Sequence, residues 1–213
     1  MFCRFRVCLN CGSISRLHIG FCSTCFAELE KLSGNLKQLH IEHRVLETSS
    51  YRLRYMYRWI PNKNRPLSNL VESLKGNSRR KEWQEIAHHY CKKYLSTCKP
   101  INPIFLPIGN AYKQKDHAYF FAEALAAELG TQCISTLFKT DSKQQKRGKA
   151  FERSRIHFEN SENFTDLYYP NKQLVIVDDV VTTGYTALAA IKSLSCPKNV
   201  EVWSFAFRGL ADL

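Results

Sequence analysis

Two groups of residues in this chain have the types and spacing for chemistry. The first is Leu174-Val-Ile-Val-Asp-Asp-Val-Val-Thr-Thr-Gly-Tyr-Thr186. Four apolar, mostly β-branched residues open it and predict a strand buried on both faces. Asp178 and Asp179 follow. A short loop, Thr182-Thr183-Gly184-Tyr185-Thr186, then leads into a helical pattern from Ala187 to Leu194. A buried strand that ends in acids and feeds a Thr/Gly loop opening a helix is the usual layout of a phosphate site in an open α/β sheet. Backbone N–H groups at the helix start and threonine hydroxyls supply donors, and Gly184 lets the backbone approach closely. Paired carboxylates beside such a site suit sugar hydroxyls, or a Mg²⁺ that travels with the ligand. The bland alternative is an acidic strand end followed by an ordinary turn.

The second group is Cys8-Leu-Asn-Cys11 and Cys22-Ser-Thr-Cys25, two C-x-x-C knuckles ten residues apart. Two knuckles complete a tetrahedral Cys₄ zinc site with no open coordination position, so its role is structural. One pair alone would equally read as a redox dithiol; two pairs at this spacing argue for metal. A segment this short cannot build its own core, so zinc binding would stabilise it. His18 is a weaker candidate ligand, and Cys3 is a spare thiol.

Composition narrows the setting. The chain has 213 residues, enough for an α/β domain plus a small appendage. It carries 31 Lys+Arg against 19 Asp+Glu, a formal net charge of +12, which favours a polyanionic partner such as nucleic acid. No run of about 18 apolar residues exists to span a membrane, and Met1-Phe-Cys-Arg-Phe-Arg6 has no apolar signal core. A reducing, cytoplasmic setting is expected, where nine cysteines read as ligands and free thiols rather than disulfides.

The elements that must position these groups follow from periodicity. A helix is predicted over 26–45, from Phe26, Leu29, Leu32, Leu36 and Leu39. Tyr51 to Ile60 reads as a strand, and its aromatics interleaved with Arg52, Arg54 and Arg58 suit either a half-buried strand or a stacking surface for single-stranded nucleic acid. Helices are predicted over 67–75 and 81–97. A strand over 103–108, a helix over 118–129 stopped by Gly130, and a strand over 133–138 make a βαβ unit and call for a parallel sheet. Residues 139–158 are polar and basic, with the composition of a lid. A closing strand is predicted over 200–207. Arg79, Arg80, Lys143, Lys146 and Arg147 are the candidate DNA-contacting residues.

The stretch 174–186 resembles the phosphoribosyl-diphosphate (PRPP) signature of the type I phosphoribosyltransferases: four hydrophobic residues, two acids, two further positions, then T-T-G-x-T. With the N-terminal knuckles and the basic middle segment, nearly the whole chain resembles the ComF (ComFC-type) competence proteins. The segment Lys139, Gln144 or Gln145, and Arg153 matches their lid pattern. The resemblance implies an α/β type I phosphoribosyltransferase fold, a parallel sheet flanked by helices. It implies three parts: a zinc-ribbon module at 1–28, a basic helical hood or connector at 29–99, and a phosphoribosyltransferase-like domain at 100–213. It also implies that Asp178 and Asp179 bind ribose hydroxyls near Mg²⁺, and that Val181, Thr182, Thr183, Gly184, Tyr185 and Thr186 wrap the 5-phosphate. Gly109, Asn110, Lys113 and Lys115 would serve the pyrophosphate, and Lys139, from the lid, would also bind PRPP. The implied function is a cytoplasmic competence protein that binds PRPP and single-stranded DNA and works with DNA-uptake proteins at the inner membrane. The alternative is a phosphoribosyltransferase acting on a base or other acceptor. This chain departs from the family pattern at Lys115-Asp116-His117-Ala118-Tyr119, where relatives carry an Arg-Gly-Phe-Asn-like turn.

Overall fold

The computed structural model describes residues 6–15, 20–32, 38–46, 49–60, 63–74, 80–96, 102–109, 115–139, 158–160, 172–194 and 200–208. In chain order the elements are β1 (Arg6–Val7), β2 (Ile14–Ser15), α1 (Ser23–Leu32), β3 (His40–Leu46), β4 (Ser49–Arg58), α2 (Arg65–Leu74) and α3 (Arg80–Leu95). Then come β5 (Pro103–Gly109), α4 (His117–Leu129), β6 (Gln132–Cys133), β7 (Leu137–Lys139), β8 (Phe158–Asn160), β9 (Gln173–Val181), α5 (Tyr185–Ser193) and β10 (Val200–Phe207).

Eight strands form one mixed, mostly parallel sheet in the order β3-β4-β10-β9-β5-β7-β8, with β6 also paired to β5. The strands β4, β10, β9, β5, β6 and β7 run parallel, and an antiparallel strand closes each edge, β3 on β4 and β8 on β7. β5, β9 and β10 are rich in apolar residues because both sheet faces are covered. Alternation sorts their side chains into two cores. Phe105, Val175, Val177, Trp203 and Phe205 pack with residues of α1 to α4, whereas Ile104, Leu106, Ile176, Val202 and Phe207 pack with α5. Trp203 centres the first core, with the rings of Tyr90, Tyr94 and Phe105 at 5.4, 4.7 and 5.4 Å.

Several expectations shift. Of the helix predicted over 26–45, residues 26–32 lie in α1, residues 33–37 lie outside the described residues, and His40–Leu46 is the edge strand β3. Leucine spacing favours a helix locally, but alternation from His40 onward lets this segment pair with β4, and sheet pairing outweighs propensity. Ile41 and Val45 consequently face solvent, while Glu42 and Arg44 are half-buried. The strand predicted over 133–138 is two short ones, β6 and β7, each using a different stretch of β5. The segment read as a lid contributes β8 at its far end, pairing Phe158 with Lys139. The strand predicted over 200–207 is β10, and it lies between β9 and β4. The aromatic strand is core: Tyr51, Tyr55 and Tyr57 are buried, which removes them as a stacking surface. Residues 49–58, from the segment expected to connect two domains, belong to the same sheet as β5, β9 and β10. No helix among the described residues is long and apolar enough to cross a membrane.

Candidate functional site

β9 places the first group. Its apolar half, Val175 to Val177, is buried, and the strand carries Asp178 and Asp179 outward to its C-terminal end, where both are half-buried. Neighbouring strands end on the same side, because their register is parallel: Pro107 sits beside Val177, and Phe207 beside Val181. Ser204, buried on β10, shapes the acid-bearing end. Its hydroxyl lies 3.1 Å from the Asp179 carbonyl, which accepts from it, and it accepts from the Val181 N–H at 3.3 Å.

Residues 182–184 then turn the chain into α5, whose N-cap is Gly184 at φ 89°. That left-handed conformation is strained for any residue with a Cβ. A Cβ here would also collide with the Tyr51 hydroxyl. The cap makes no side-chain hydrogen bond, so the first-turn N–H groups of α5 are left without the usual side-chain acceptor. An anion is the natural partner for such a helix start.

Three residues that the sequence did not assign to this site surround the loop. Tyr51 Oη donates to the Gly184 carbonyl at 3.3 Å, and Arg44 Nη2 donates to the Thr183 carbonyl at 3.3 Å; Ser204 lies beneath. Burial pushes the Tyr51 phenol up to about 12; Arg44 pulls against that and Asp178 adds to it, so the three groups share one electrostatic environment. More than 130 residues separate Arg44 and Tyr51 from the loop they touch. No local pattern marks them.

The other sequence-derived candidates are placed as follows. Gly109 ends β5 and is buried, and a Cβ on it would strike the Leu137 carbonyl and the Phe138 ring, so its smallness serves strand packing. Lys139 ends β7. Lys115 is exposed, with Nζ 4.6 Å from the Tyr119 ring centre. Asp116 caps α4, its Oδ1 accepting from the Tyr119 N–H at 3.3 Å, so the turn that departs from the family pattern is a helix start. Arg80 is exposed at the start of α3, its guanidinium 5.2 Å from the Phe120 ring. Asn110, Lys113, Arg79, Lys143, Lys146 and Arg147 lie outside the described residues.

The cysteine knuckles come together as the spacing predicts. The β1–β2 hairpin holds Cys8 and Cys11, and Cys25 lies in the first turn of α1. The four Sγ atoms all lie within 4.8 Å of one another. Cys11 Sγ and Cys22 Sγ are 3.8 Å apart, close to the ~3.8 Å edge that Zn–S bonds of about 2.3 Å impose on a tetrahedron. The cluster needs a cation to be fully ionised. Hydrogen bonds from Ser13 hold the exposed Cys11 thiol down at about 6, whereas Cys25 is pushed up to about 12: the hydrogen bond from Asn10 favours its thiolate, and burial with the other three sulfurs outweighs it. Asn10 Nδ2 donates to Cys25 Sγ at 3.4 Å, and Asn69 Nδ2 of α2 donates to Asn10 Oδ1 at 3.0 Å. This chain of amides ties the cluster to the helical layer over the sheet.

No family model and no curated protein matches the chain.

Proposed function

We propose that this chain is a ComF-like competence protein that binds PRPP where β9 enters α5 and contacts single-stranded DNA during natural transformation. The observation that carries the reading is the order of groups on one strand: a buried apolar run, Asp178 and Asp179 at its end, and a left-handed Gly184 opening α5. That order offers carboxylates to ribose hydroxyls and a helix start to the 5-phosphate. The mostly parallel sheet is compatible with a type I phosphoribosyltransferase fold. The cysteine cluster supports the zinc module of the same resemblance. Mg²⁺ would arrive with the diphosphate, as small hard cations do when they keep most of their waters. The excess of basic residues supports the DNA half of the proposal.

Replacing Asp178 and Asp179 together by alanine removes the hydroxyl acceptors and should weaken PRPP binding by ~100-fold or more, since hydrogen bonds to charged groups contribute about 1.5–3 kcal/mol each. Titration calorimetry reads this directly, and unchanged affinity would refute the site. For DNA, gel-shift affinity for single strands should fall as salt rises, with a log–log slope of about −0.7 per phosphate neutralised. A flat salt response would remove the nucleic-acid half. A pyrophosphate-release assay with PRPP, run with and without single-stranded DNA, separates ligand binding from phosphoribosyl transfer.

A further inference from the structure

The phosphate loop 181–186 contains no lysine or arginine, and it follows two carboxylates. A phosphate dianion there, as the PRPP reading requires, needs a cation that the signature does not contain. Among the described residues, two arginines meet this loop. Arg208 does so through its backbone, its N–H donating to the Val181 carbonyl at 2.8 Å while its guanidinium lies 5.5 Å from the Trp59 ring. Arg44 meets it with its charged end.

We propose that Arg44, reaching across from the β3–β4 hairpin, is the cation of this phosphate site and binds the phosphate monoester of the ligand. Its guanidinium carries five N–H donors in a rigid fork. One donates to the Thr183 carbonyl at 3.3 Å, and Nη1 stands 3.7 Å from Glu42 Oε2. Nε has no hydrogen-bond partner among the described residues. Donors therefore outnumber the acceptors in reach, and an incoming phosphate redresses this. The guanidinium lies 4.9 Å from the Phe207 ring, which limits how it can turn. Tyr51, donating to the next carbonyl along, holds the other side of the loop. The strand β3, whose segment sequence periodicity misread as a helix, thus forms one wall of the site, and the Arg44 side chain remains a quarter exposed, open to a ligand.

The inference rests on the PRPP reading, and its test keeps the two apart. The full-length protein is titrated with PRPP and with ribose 5-phosphate, which shares the monoester but lacks the diphosphate. Arg44→Met keeps the packing over Phe207 and removes the charge; Arg44→Lys keeps the charge and loses the fork. We expect Arg44→Met to weaken both ligands about tenfold or more, Arg44→Lys to recover part of the loss, and both variants to melt close to the wild type. Wild-type affinity in Arg44→Met overturns the proposal. So does an equal loss in both variants together with a lowered melting temperature, which would make Arg44 a structural wall. If the wild-type protein binds neither ligand, the PRPP reading itself falls, and this inference with it.

Discussion

Cys8→Ser, or treatment with a strong chelator, should abolish a stoichiometric zinc content and unfold the N-terminal module. Metal analysis of the purified protein should find about one zinc per chain, absent from the variant. The size of the effect follows from how little else holds this segment. Among its described residues, the strand structure ahead of α1 is one short pairing, Arg6 with Ser15 and Val7 with Ile14. Against that, a structural zinc site contributes about 10–16 kcal/mol in small peptides at neutral pH. Cys8, Phe21, Cys22 and Cys25 are also part of the main apolar core that reaches Leu29 and α2, so the damage should spread. The Asn69–Asn10–Cys25 connection carries it to the helical layer. The expected readout is a lower melting temperature in the variant and in the chelated protein, reversed by zinc only in the latter. Metal-free purified protein that melts identically with and without chelator would sink the idea.

The second large effect lies in the sheet. Glu201 is buried on β10, where its carboxylate takes two hydrogen bonds from Arg54, at 2.6 and 3.0 Å, one from Arg52 at 3.0 Å, and one from Trp203 Nε1 at 3.0 Å. Arg54 is buried as well, with its guanidinium 5.5 Å from the Tyr94 ring. Glu201→Ala leaves that cation without its carboxylate in an apolar layer, and breaking a buried pair from one side costs about 3–5 kcal/mol. Unfolding in urea should show the midpoint falling accordingly; a shift as small as that of an exposed pair, below about 1 kcal/mol, would contradict the assignment. The pH dependence has a definite sign. Burial acts to raise the Glu201 carboxyl, but the hydrogen bonds and charge of Arg54, with Trp203, outweigh it and hold the group below its ordinary value. A group depressed in the folded state contributes stability that is full above its unfolded value, about 4.3, and is lost as pH falls through the folded value. The gap between wild type and Glu201→Gln should therefore narrow on acidification below about pH 4. A gap that stays constant into that range would mean the carboxylate is not held by Arg54.

Both groups of chemically capable residues were legible from residue type and spacing alone, and for one reason: each is a local constellation. Two knuckles within eighteen residues bring four sulfurs together with only short loops to close. Strand, acids, loop and helix follow each other without a gap from Leu174 to Leu194, so adjacency along the chain already means adjacency in space. The alternation of α and β patterns around Pro103 to Phe138 likewise identified a parallel sheet, because a βαβ crossover is a local unit.

Tertiary structure alone decided the rest, and each case turns on a contact between distant segments. His40–Leu46 is a strand because β4 pairs with it, not because of its own propensity. Val200–Phe207 carries polar residues among its apolar ones, yet it lies between two strands, since Glu201 and Ser204 find partners on β4 and β9 that make their burial tolerable. The arginines and tyrosines of β4 looked equivalent in sequence; pairing with Glu201 buried Arg54, and packing buried Tyr51. The same long-range packing completed the surroundings of the loop at 181–186. Sequence specifies its acids, its hydroxyls and the glycine that opens α5. Only the fold brings Tyr51 against that glycine and Arg44 against Thr183, because side chains more than 130 positions away are placed by sheet order and not by spacing.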